Sequence, residues 1–142
     1  MATGSTTATK TMDIAVVGAH LSTFPLNPDL LTLGATFSER TTTSPNYKLY
    51  ELQNNTPSKP GLVRDSQGSR IEVEIWTMPL SNLGAFLSTI SSPLGLGSVE
   101  MEDGRWVKGF ICEPYGLVGA KDITEWGGWR NYKASCAESV DN

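Results

Sequence analysis

The stretch RIEVEIWT (70–77) alternates apolar and polar residues without a break, and Pro79 then ends the alternation. A period of two is that of a strand, so Ile71, Val73 and Ile75 are expected on one face and Glu72, Glu74 and Trp76 on the other. Beyond the proline, Leu80, Leu83, Leu87 and Ile90 recur at the spacing of one helical face. This predicts a helix of about three turns, stopped at Ser92-Pro93. A strand followed at once by an amphipathic helix calls for a sheet with a helix laid on it.

Other segments fill in that sheet. MDIAVVG (12–18) is a short continuous apolar run, the pattern of a strand covered on both faces. FPLNPDLL, with two prolines, reads as an irregular loop holding at most one helical turn. GATFSERTT and NYKLYEL are β-rich and parted by Ser44-Pro45, which suggests a hairpin or meander. NNTPSKPGLV (54–63) is expected to be a loop stiffened by its prolines. SVEMEDGRWVKGFICE (98–113) reads as a hairpin turned by Asp103-Gly104 in a type I′ corner. DITEWGGWRNYKAS (122–135) is a capped segment broken at Gly127-Gly128, with Trp129 and Tyr132 on a short closing helix. The sum is six or seven strands and two helices, an α+β fold with a curved, mostly antiparallel sheet or small mixed barrel.

The chain of 142 residues suits one domain, with no internal repeat. We expect a flexible segment over 1–11, the domain over 12–135 and a flexible tail over 136–142, since both ends are too polar to offset the entropy of ordering them. The net charge of −4 has the wrong sign for gripping phosphate backbones, so nucleic acid is not an expected partner. MATGSTTATKT lacks the apolar stretch of a secretory signal and no window reaches the length of a membrane span; a cytoplasmic protein without membrane contact is expected. Cys112 and Cys136 have no C-x-x-C spacing, and one histidine with two separated thiols is a poor set for zinc. Neither metal nor cofactor is expected.

The only histidine, His20, follows the apolar run by way of Gly18-Ala19. Successive backbone N–H groups on such a turn can converge on an anion, and the imidazole beside them would then act on it. A lone histidine without a Ser, Cys or metal partner is more commonly an ordinary hydrogen-bonded loop residue. Lys59, Arg64 and Lys108 are cations with rigid or apolar neighbours and are candidates to face a cleft, although the stem of Lys108 has an equally good place over aromatic rings. Glu113 ends a strand before Pro114, where it would orient an imidazole, act as a base or simply be exposed. Neither a G-x-S-x-G elbow, a P-loop nor a dinucleotide fingerprint occurs.

Taken together, VVGAHLSTFPLN, YKLYEL, KPGLVR, IEVEIW, PLGLGSVEMEDGRWVKGFICE and KDITEWGGWRNY resemble, in order and over nearly all of residues 13–132, the C-terminal domain of allophanate hydrolase. The resemblance implies a γ-glutamylcyclotransferase-like fold and a role in decarboxylating N-carboxycarbamate, the product of that family's amidase half. It makes His20 the catalytic histidine; Glu113, as a strand-end carboxylate able to orient an imidazole, is the second expected catalytic residue. Gly18, Ala19, Leu21, Tyr47, Lys59 and Lys108 form the expected binding set for a small anionic carbonyl or carboxylate substrate. The Ser-Ser-Lys amidase half is absent, so an amidase domain or protein is the implied partner, a free-standing single domain is expected, and there is room for a homodimer. PLSNLGAFLSTI holds no acid where cyclotransferases carry their glutamate, which disfavours glutamyl cyclisation. Two alternatives stay open: a pocket enzyme for a different, biosynthetic carbonyl substrate, and a non-catalytic assembly module.

Overall fold

The computed structural model describes residues 10–53 and 55–141, with side chains as far as Ala137. Most of the segment expected to be loose at the N-terminus therefore lies outside the described residues. Thr11 already opens the first strand, and the last helix continues to Asp141, through most of the stretch expected to fray.

Eight strands and three α-helices are described, in the order β1 (Thr11–Val16), α1 (Asn27–Thr32), β2 (Thr36–Thr42), β3 (Tyr47–Glu51), β4 (Pro60–Arg64), β5 (Glu72–Pro79), α2 (Leu83–Leu87), β6 (Leu94–Glu100), β7 (Trp106–Cys112), β8 (Lys121–Asp122) and α3 (Trp129–Asp141). The fold is α+β, as expected. Five strands pair in the order β2-β5-β1-β7-β6 and three more in the order β4-β3-β8. Every pairing is antiparallel except β1 with β7. The apolar run of β1 thus lies at the centre of the larger sheet, and Ile14, Ala15 and Val16 are all buried.

The sheets do not close into one barrel. The edge strands of the larger sheet meet only at a corner, where the Ser44 N–H donates to the Glu100 carbonyl (2.8 Å) and the Glu102 N–H to that of Thr42 (3.0 Å). GATFSERTT and NYKLYEL do not pair with each other: β2 lies on β5, whereas β3 lies between β4 and β8. Pro60-Gly61, read as loop, begins strand β4. A proline is tolerated there because it sits at the first residue of an edge strand, where its missing donor is not needed.

The expected three-turn helix is a short 3₁₀ turn, Leu80–Asn82, followed by α2, and the chain straightens again at Leu94. Phe86 is its buried anchor. The hairpin between β6 and β7 forms, but not through a type I′ corner. Only Gly104 has positive φ, the Gly104 N–H donates to the Met101 carbonyl (3.0 Å), and the Met101 N–H donates to that of Arg105 (2.7 Å). This is a type I turn completed by a left-handed glycine.

Candidate active site

β1 ends at Val16, and the next ten residues fold back on themselves through short hydrogen bonds. The Leu21 N–H donates to the Gly18 carbonyl (2.9 Å), Phe24 to Leu21 (3.0 Å) and Leu26 to Ala19 (2.8 Å). The buried Asn27 amide at the start of α1 donates to the His20 carbonyl (2.8 Å). Gly18 does not have positive φ. Its requirement is space: a Cβ there would run into the ring of Pro60 at the start of β4. The turn and the smaller sheet consequently touch at a point where no side chain fits.

This contact forms one wall of a hollow lined by the backbone from Ala15 to Ala19, by His20, Leu26, Lys59, Pro60, Ile90, Leu94 and Phe110. The centre of a water molecule can range over ≈ 40 Å³ of it, against the roughly 10–15 Å³ that one water needs. It therefore has room for a small organic acid. The His20 ring stands edge-on to Phe86, 5.1 Å between ring centres, and is tilted over Phe110 at 6.5 Å. Its Nε2 is buried and has no hydrogen-bond partner among the described residues. Such an atom is costly to leave unpaired unless a ligand or water meets it.

Burial lowers the pKa of His20 from 6.5 to about 4; Asp29 on α1 pulls it back up in part and Lys59 lowers it further. With its pKa held there, the imidazole is neutral at pH 7. An imidazolium at this place requires a bound anion, because a nearby negative charge is needed to outweigh the loss of hydration.

The structure brings Gly18, Ala19, His20 and Lys59 to this hollow. Leu21 is fully buried in the core below the turn, and Tyr47 is buried with its hydroxyl accepting from the Glu100 N–H (2.9 Å). Neither lines the hollow. Lys108 is exposed on β7 and donates to the Ser98 hydroxyl (3.1 Å). Glu113 is also exposed, with its N–H bonded to the Pro93 carbonyl (2.8 Å). These two carry charge that solvent satisfies.

A charged group on the other side of the turn was not foreseen. Glu74, expected on the polar face of β5, has no exposed surface. Its Oε1 accepts from the Ser22 N–H (2.8 Å) and the Trp76 indole (3.1 Å). Its Oε2 accepts from the Ser22 hydroxyl (2.7 Å) and from Arg40 and Arg130 (3.1 Å each). Burial pushes the carboxyl pKa up, but the hydrogen bonds from Ser22, Trp76 and Arg40 outweigh it and hold Glu74 below the usual carboxylate range. The face looked polar in sequence because the partners that cover it lie far away along the chain.

Comparison with known proteins agrees with this architecture. Residues 12–134 match the model of the allophanate hydrolase C-terminal domain. Urea amidolyase of Saccharomyces cerevisiae is 49% identical over 124 residues, which is 84% of this chain but 7% of that protein. Allophanate hydrolase of Kluyveromyces lactis superposes with a TM-score of 0.87 and 43% identity, over 89% of this chain and 22% of that one. A uropathogenic E. coli-specific protein superposes at 0.82 with 31% identity, over 88% of this chain and 97% of its own. A γ-glutamyl cyclotransferase, at 13% identity and a TM-score of 0.56, shares the fold alone. The chain spans a small fraction of the urea amidolyases it matches, and it belongs to the allophanate hydrolase C-terminal domain family.

Proposed function

We propose that the hollow at His20 binds a small dianion, N-carboxycarbamate or a close N-carboxylated relative, and releases carbon dioxide from it. The observation that carries this reading is the buried, unpartnered Nε2 of His20 in a cavity that also receives Lys59. In the step proposed, the bond between nitrogen and one carboxylate carbon breaks, and its electron pair passes to nitrogen. Nitrogen takes a proton, carbon dioxide leaves, and carbamate remains.

His20 supplies that proton from Nε2. The imidazole enters the cycle neutral, because burial holds its pKa near 4. A dianion beside it raises that value by charge attraction, so binding of substrate takes up a proton from water and produces the acid where it is used. Among the described residues, the N–H groups of Ala19 and His20 find no acceptor, which leaves them for the carboxylate that stays. Lys59 offsets its charge. The departing carboxylate loses its charge as it becomes carbon dioxide, and the apolar side chains of Ile90, Leu94 and Phe110 favour the neutral product over the ion.

An amidase is the natural supplier of such a substrate. The domain forms 22% of the Kluyveromyces lactis allophanate hydrolase it matches, and an amidase domain or protein is accordingly the proposed partner. The test is release of carbon dioxide and ammonia from N-carboxycarbamate generated in place by a separate amidase. The wild-type chain should exceed the uncatalysed rate, and His20→Ala should return to it. Equal rates for the two proteins would remove the reading.

A further inference from the structure

We infer that Glu74 and Arg130 form a clamp that positions the His20 turn, making both of them positioning residues for the site. The inference rests on the reading of His20 as the reacting side chain. Its observations, however, come from the opposite side of the turn.

Leu21 and Phe24 are tied by backbone hydrogen bonds, but among the described residues Ser22 and Thr23 between them make none. Thr23 is the one non-glycine residue with positive φ (71°) among those described, a costly conformation for a β-branched side chain. Such a residue keeps this backbone only where its surroundings impose it. Here two elements do so. Glu74 on β5 takes both the N–H and the hydroxyl of Ser22, one on each carboxylate oxygen. Arg130 on α3 donates to the Ser22 carbonyl (3.0 Å), to the Thr23 hydroxyl (3.2 Å) and to Glu74 Oε2 (3.1 Å), and its guanidinium lies 5.0 Å from the centre of the Phe24 ring. The planar fork of an arginine can bridge these acceptors at once, and a lysine cannot.

Both sides of the clamp are themselves seated. Glu74 pairs with Val16, the last residue of β1, so the carboxylate stands beside the point where the chain leaves the sheet for the histidine turn. α3 reaches β5 through Gly127-Gly128: the Glu72 N–H donates to the Gly127 carbonyl (2.8 Å), and a Cβ on Gly128 would press on Glu72 at 2.9 Å. Arg40 also touches Glu74, but it makes no contact with Ser22, Thr23 or Phe24 among the hydrogen bonds and ion pairs of the described residues. It balances charge without holding the turn, and it serves as the internal control.

His20 is the sole histidine, so its imidazole nitrogens give unique signals in an ¹⁵N-labelled chain. The experiment measures its pKa and tautomer by NMR in the wild-type chain and in Glu74→Gln, Arg130→Lys, Ser22→Ala and Arg40→Ala, with turnover in parallel. Loosening the turn admits water to the ring. In Glu74→Gln, Arg130→Lys and Ser22→Ala the pKa should rise by about one unit or more toward 6.5, and the tautomers should mix. Asp29 and Lys59, the charges acting on the ring from α1 and from the segment before β4, are untouched in all four proteins. Arg130→Lys should lower kcat about tenfold with a smaller change in KM. Arg40→Ala should titrate as wild type. The clamp is refuted if all variants titrate as wild type while losing stability, or if Arg40→Ala shifts the ring as far as Arg130→Lys. Should Glu74→Gln fail to fold, Arg130→Lys and Ser22→Ala decide. The titration needs no substrate, so a chain without decarboxylase activity leaves this test intact.

Discussion

The ring of Pro60 rests against Gly18 so closely that even a methyl group on that glycine would overlap it. This contact joins the histidine turn to the start of β4 and forms one wall of the hollow. Gly18→Ala must therefore push the turn and the strand apart. We expect a loss of about 1–3 kcal/mol, the usual cost of overpacking a close contact. Denaturant unfolding gives that value, and a smaller rise in melting temperature on adding malonate, a stable dianion of the size proposed for the substrate, reports the opened wall. A Gly18→Ala protein as stable and as well protected as wild type would show that the contact gives way freely.

The lowered pKa of His20 has a thermodynamic consequence whose sign is fixed. The folded chain holds the imidazole near pKa 4, and the unfolded chain holds it near 6.5. Between these values the unfolded state binds more protons, so stability is fully present above about pH 6.5 and falls as the pH drops toward 4. The contribution at stake is up to about 3 kcal/mol. The stability of wild type relative to His20→Gln should fall across this window as acid is added. Binding of malonate should be accompanied by proton uptake at pH 7, seen in calorimetry as a dependence of the heat on buffer ionisation. Equal heats in all buffers would mean that the anion does not charge the ring.

Lys59→Met keeps the length of the side chain and removes its charge. We expect the affinity for malonate to fall about tenfold, equivalent to roughly 1.4 kcal/mol. The salt dependence of binding should weaken with it. An unchanged titration would remove Lys59 from the binding site.

Glu113 and Lys108 do not line the hollow: Glu113 is exposed just beyond the end of β7, and Lys108 is exposed on that strand. Glu113→Gln and Lys108→Ala should each turn over substrate within about twofold of wild type and shift stability by at most about 0.5 kcal/mol. A large loss of rate in Glu113→Gln would return that carboxylate to the mechanism.

β1 and β5 were legible from residue order alone because their patterns reflect the sheet directly: a continuous run at the centre, and alternation beside it. β4 was hidden because Pro60-Gly61 carries the local marks of a loop, and only pairing with β3 turns it into a strand. Gly18 is required for its close approach to Pro60 and not for a left-handed turn. The strained turn residue is Thr23, which no local rule would choose. The histidine itself was visible because it is unique. The charge cluster behind it was not, since alternation reveals that Glu74 lies on the second face of β5 but cannot reveal that residues 22 and 130 cover that face.

The bonds between Arg130 and Ser22 span 108 positions of the chain. A ribosome releases the first strand and the histidine turn long before it reaches α3, so the imidazole waits for this support until more than a hundred further residues have been added. Any chain cut short before Trp129 can pair its eight strands yet lacks the residue that fastens the turn. The histidine turn is thus fastened late, by a helix far from it in the order of translation.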